Sequence, residues 1–75
     1  MTNDTEAQIA IGAALSYWRK ADNEWQDLLC REYGAAGFSI RYDEKLNAAT
    51  PALAEHRERC EAAKADFQYI WDKYR

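Results

Sequence analysis

IGAALSYWRKADNEWQDLL, residues 11–29, decides how this chain folds. Its apolar positions recur at Ile11, Ala14, Trp18, Ala21, Trp25 and Leu28, with Leu15 and Leu29 widening the stripe. That spacing is helical, because residues three and four apart share one face of an α-helix. Large and small side chains alternate along the stripe, so Ala14 and Ala21 leave room for the indoles of Trp18 and Trp25 to lie across a facing helix. Upstream, Thr5-Glu6-Ala7-Gln8 has the form of a capping box and predicts the helix start. Downstream, Gly34 can take the left-handed conformation that ends a helix, and Gly37 adds a second permissive point. The expected helix covers residues 5–33, about 28 residues and roughly 42 Å long.

A second helix is expected over residues 51–74. Thr50 places a capping hydroxyl just before Pro51, whose fixed φ and missing N–H suit the first helical position. The stripe then runs Leu53, His56, Cys60, Ala63, Phe67, Ile70 and Tyr74, with Trp71 beside it, while Glu55 and Arg59 form an i,i+4 pair on the outer face. Two such helices joined by residues 34–50 predict an all-α fold, an antiparallel two-helix hairpin with a long ordered connector, as one domain over residues 1–75.

A chain of 75 residues makes a marginal core unless a disulfide, a metal or a second subunit supplements it. One internal seam hides one narrow face per helix, and three Trp and five Tyr are many rings for that seam. Burying a large side chain is worth ~1.5–3 kcal/mol, so leaving several of them half wet would forgo several kcal/mol against a total stability of ~5–15 kcal/mol. We therefore expect a homodimer that forms a four-helix bundle, with Ile11, Leu15, Trp18, Trp25, Leu28, Leu29, Leu53, Cys60, Phe67, Ile70 and Trp71 supplying core and dimer packing. Cys30 and Cys60 fall at different heights in the antiparallel pairing and are expected as free thiols.

Catalytic and metal chemistry find little support. His56 and Cys60 lie four apart on one helix, but a structural zinc site takes four ligands, and the chain has neither a second histidine nor a Cys-x-x-Cys. A Cys60 nucleophile beside His56 would lack an orienting third group and an oxyanion hole. Gly34 and Gly37 form only G-x-x-G, with no following lysine and no preceding strand, so no phosphate loop is indicated. The sequence thus predicts no enzyme, no catalytic residue, no metal ligand and no cofactor. A net charge of −3, from 13 acidic against 10 basic residues, argues against nucleic acid as partner. Arg57, Arg59 and Lys64 are interspersed with Glu55, Glu58 and Glu61 rather than gathered on a basic helix face. No apolar run approaches a membrane span, and MTNDTEAQ lacks the pattern of a signal peptide, so a cytoplasmic location is expected.

The connector is longer than the two to eight residues usual between bundle helices. Phe38, Ile40 and Tyr42 alternate with Ser39 and Arg41 as a short extended piece would, and Asp43 can cap a turn through Asn47. Phe38, Ile40 and Leu46 are candidates to plug the end of the bundle. Arg41, Tyr42 and Asp43 form either a polar, aromatic tip for protein recognition or an Arg41–Asp43 bridge that orders the loop. Tyr17 and Tyr69, which the hairpin seam does not require, join Arg41, Tyr42 and Asp43 as candidate partner-binding residues.

The order helix, Tyr33-Gly34-x-x-Gly37, Arg41-Tyr42-Asp43, Thr50-Pro51, helix resembles small helical-hairpin proteins of bacteriophages and prophages over nearly the whole chain. In size, acidity and architecture the chain is also similar to the phage quorum-sensing anti-activator family, whose members bind a host transcriptional activator and a pilus-assembly ATPase and switch them off. That resemblance implies a phage-encoded inhibitor or modulator that binds a host bacterial protein in the host cytoplasm. It assigns no contact residue to a position here. The alternative expectation is a structural or assembly component of a phage that acts by self-association.

Overall fold

In a computed structural model, which describes residues 4–74, every regular element is helical. Helix α1 spans Asp4–Tyr33, a 3-10 turn spans Gly34–Ala36, the single turn α2 spans Gly37–Ile40, and α3 spans Pro51–Tyr74. Because α1 begins at Asp4, Thr5 lies inside the first turn rather than at the cap, and the capping residue falls outside the described residues. At the other end Gly34 has φ 64°, the one positive φ among the described residues, and the chain leaves the axis of α1 there. Helix α3 starts as its sequence directs: the Leu53 N–H donates to the Thr50 hydroxyl (3.2 Å), and the Ala54 N–H donates to the Thr50 carbonyl (2.9 Å).

The connector corrects two expectations. Phe38-Ser39-Ile40-Arg41-Tyr42 is not extended: the Arg41 N–H donates to the Gly37 carbonyl (3.3 Å), Tyr42 to Ser39 (3.1 Å) and Asp43 to Ile40 (2.8 Å). No strand lies among the described residues to pair with this segment, so its backbone groups are satisfied within helical turns. Gly37 matters for space rather than for conformational freedom, since its φ of −54° is ordinary helix. A Cβ built there would lie 2.8 Å from the Leu29 carbonyl carbon, 2.8 Å from the Cys30 nitrogen and 2.9 Å from the Leu29 oxygen. The connector backbone therefore rests directly on α1.

The long helices lie side by side, and sequence numbers fall along one as they rise along the other. Trp18 meets Phe67 with ring centroids 5.4 Å apart, and the Cys60 thiol donates to Asp22 at 3.5 Å. The whole measures 49 × 17 × 17 Å. Both apolar stripes face the seam, but burial along it is uneven. Leu29 and Leu53 are fully buried with Trp25 and Cys60, and Trp18, Ala21, Leu28, Tyr33 and Ile40 pack around them. This core sits at the connector end, where α2 adds a third layer. Toward the opposite end Ile11, Leu15, Trp18, Phe67 and Ile70 are only half-buried, and Trp71 is 44% exposed. Of the three candidates for a plug, Ile40 packs on the core, Phe38 is exposed and Leu46 is partly exposed.

Candidate functional site

Two regions carry the polar and aromatic residues of interest: a hydrogen-bonded junction where the connector crosses the helices, and a set of rings on the outside. Asn47 holds the junction. It is the one buried polar residue among the described residues, and its backbone and side chain serve four neighbours. Its N–H donates to the Asp43 carbonyl (2.8 Å) and its carbonyl accepts from Trp25 Nε1 (3.1 Å). Its Nδ2 donates to the Arg41 carbonyl (2.8 Å), and its Oδ1 accepts from Arg57 Nη1 (3.2 Å). One asparagine thus ties α1, the connector and α3, and all its polar groups are matched inside the fold.

Arg41 lies beside it. Rather than bridging to Asp43, the guanidinium reaches α1, donating to both Asp22 oxygens (2.5 and 3.4 Å) and to Gln26 Oε1 (2.8 Å). It also sits 5.2 Å from the Trp25 ring centroid and 5.7 Å from that of Tyr42. The hydrogen bond to Asp22 pushes the Arg41 pKa above its ordinary value, with burial pulling the other way. Asp43 instead closes its own turn, accepting from the Lys45 N–H at 2.9 Å.

The thiols border this junction without meeting. Cys60 is directed at Asp22, and Cys30 accepts from Gln26 Nε2 at 3.5 Å; both are free. Burial, and then the hydrogen bond to Asp22, push the Cys60 thiol above its ordinary value, so it stays protonated near neutrality. His56, four residues earlier, opens to the other side of the pair, in a hollow shared with Glu24, Asp27, Leu28 and Arg31. Its Nδ1 is buried without a hydrogen-bond partner. No group of three His, Cys, Asp or Glu gathers as metal ligands among the described residues.

The outer rings are displayed rather than packed. Tyr42 is 81% exposed, Tyr69 70%, Phe38 63% and Tyr17 61%. They do not form one patch: Tyr17 lines a hollow with Lys20, Ala21, Glu24 and Arg59, whereas Tyr42 lines another with Ser39, Asp43, Glu44 and Lys45. Of the candidate partner-binding residues, only Arg41 has its side chain drawn into the junction, while the side chains of Tyr42, Asp43, Tyr17 and Tyr69 stay on the surface. Asp22, Gln26 and Asn47 were not legible as partners of Arg41, because they lie 19, 15 and six residues away with no periodicity linking them. The Glu55–Arg59 pair is present and exposed, the arrangement its spacing suggests.

Fold and surface together define a small all-helical chain of two long helices joined by an ordered connector, with no helix among the described residues long and apolar enough to cross a membrane. No protein-family model, no curated protein and no solved structure matches it.

Proposed function

We propose that the chain is a stoichiometric protein–protein interaction module: an antiparallel helical hairpin that dimerises and occludes a working surface on another protein without catalysis. The observation that carries this reading is the display of Tyr17, Phe38, Tyr42 and Tyr69, each more than half exposed, on a chain whose core does not use them. Tyrosine and phenylalanine supply large, rigid contact area at low entropic cost, and they are enriched where proteins bind one another. The resemblance to phage anti-activators points to a host bacterial protein such as a quorum-sensing transcriptional activator, met in the host cytoplasm. Acidic and basic residues alternate over α3, which favours a protein partner over nucleic acid.

Affinity capture from a bacterial lysate tests the reading. The native chain should retain one host protein at near-equal stoichiometry. A variant carrying Tyr17→Ala, Tyr42→Ala and Tyr69→Ala should lose it at unchanged melting temperature. Equal capture by the variant would overturn the assignment to these rings; no capture by the native chain, together with growth of assemblies beyond a dimer, would favour a self-assembling phage component instead.

A further inference from the structure

We infer that a second copy of this chain docks on one half of one face of the helix pair, antiparallel and offset, so that the copies overlap through their open ends and not along their full length. The inference rests on the dimer reading above and specifies its geometry.

The connector divides the face on which it lies. Gly37 touches the Leu29–Cys30 backbone, Arg41 pairs with Asp22, and Asn47 receives Arg57, so the half from Asp22 to the end of α1 is covered. The other half is bare. Its floor is a ladder of rings, Trp18 on Phe67 (5.4 Å) and Phe67 on Trp71 (6.1 Å), flanked by a hollow of about 340 Å³ lined by Leu15, Trp18, Arg19, Asp22 and Asn23. Where the covered half buries Leu29 and Leu53 completely, the bare half leaves Trp71 at 44% exposure. The chain thus supplies its own third layer for half of its length.

The step formed by Arg41 and Tyr42 prevents two copies from lying flush along the 49 Å axis, because the connector already occupies that space. Charge then selects the direction. Beside the step, Arg19 lines the hollow, and Lys64 follows Cys60 by one turn and precedes Trp71 by two. At the far end Asp4 lies in the first turn of α1 and shares the face of Ile11 and Leu15 by helical spacing. An antiparallel twofold places each Arg19–Lys64 end against the partner's acidic first turn, whereas a parallel pairing would set like against like. Half of a 49 by 17 Å face is about 420 Å² in projection, or about 830 Å² for both copies before side-chain relief, below the ~1,200 Å² of stable interfaces and in the range of weak, transient ones. A weak, concentration-dependent dimer is expected, about 74 Å long if half of each 49 Å protomer overlaps.

Sedimentation and small-angle scattering on the full chain test this. The expected result is a concentration-dependent dimer with a maximum dimension near 74 Å. Trp71→Glu should weaken it at least tenfold while leaving helicity intact, since Trp71 is already partly in water. Arg19→Glu should weaken it several-fold, and adding Asp4→Lys to the same chain should restore it. A dimer no longer than a single protomer, or one indifferent to Trp71→Glu and to the charge exchange, would overturn the offset geometry and leave dimerisation standing. A folded monomer at millimolar concentration would overturn both; if Trp71→Glu then abolished capture of a host protein, the bare half would belong to that partner.

Discussion

Removing the Asn47 side chain should damage the fold more than any other single change in the connector outside its glycines. Asn47→Ala deletes two hydrogen bonds, Nδ2 to the Arg41 carbonyl at 2.8 Å and Arg57 Nη1 to Oδ1 at 3.2 Å. Each is worth about 1 kcal/mol net, and a carbonyl left without its donor in a largely dry junction adds roughly another. The bonds made by the Asn47 backbone, from Trp25 Nε1 and to the Asp43 carbonyl, survive and bound the loss. The expected cost is about 2–3 kcal/mol, or a fall in Tm of about 10–20 °C for a domain this small. Thermal denaturation followed by circular dichroism at one fixed protein concentration measures it, concentration being held because self-association shifts Tm. Asn47→Asp adds a second comparison: it keeps an acceptor for Arg57 but turns an anionic oxygen toward the Arg41 carbonyl, so it should be destabilised at neutral pH and recover in acid as the carboxyl becomes a donor. A Tm within about 2 °C of the native value for Asn47→Ala would refute the claim that this side chain holds the three segments together.

The two connector glycines should respond differently. Gly37→Ala drives a methyl to 2.8 Å from the Leu29–Cys30 backbone and should cost about 1–3 kcal/mol despite improved helix propensity, whereas Gly34→Ala meets open space and pays only about 1–2 kcal/mol for its φ of 64°; equal stability of Gly37→Ala and native protein in urea titration would exclude the close approach. Arg41→Ala should lower stability by about 1–2 kcal/mol through loss of the Asp22 pair and the Trp25 ring contact, while Tyr42→Ala should change Tm by no more than a degree or two; the reverse ranking in paired melts would contradict the inward placement of Arg41. Because the folded state raises the Cys60 pKa above its ordinary 9.0, the unfolded chain gives up this proton first. The stability that Cys60 contributes is thus intact below pH 9.0 and declines as pH rises above it, so Cys60→Ala should flatten the alkaline limb of a stability–pH curve; an unchanged slope would dismiss the effect.

What could be read beforehand was local. The α1 and α3 stripes follow from side-chain period alone, so Leu29, Leu53, Cys60 and Trp25 were legible as core before any packing was known. Thr50-Pro51 and Gly34 carry their signals in their own covalent chemistry. The connector was legible in length but not in form. Phe38, Ile40 and Tyr42 alternate as a strand would, yet an alternation over five residues also fits a helical turn, and the absence of a neighbouring strand among the described residues decides between them. The outward display of Tyr17 and Tyr69 follows from their places off the stripes, whereas the inward pull on Arg41 depends on Asp22 and Gln26 a long way back in the chain. Asn47 gave no signal at all: an asparagine between Leu46 and Ala48 looks like any turn residue until three segments close around it.

The one-ended core has a consequence for how such a chain changes over generations. Firmness is concentrated where Gly37, Asn47 and the fully buried leucines meet, and the remote tips contribute little to it. Substitutions at those tips can therefore accumulate at small thermodynamic risk, so the surface there can change over generations while the bend that keeps the chain folded stays fixed.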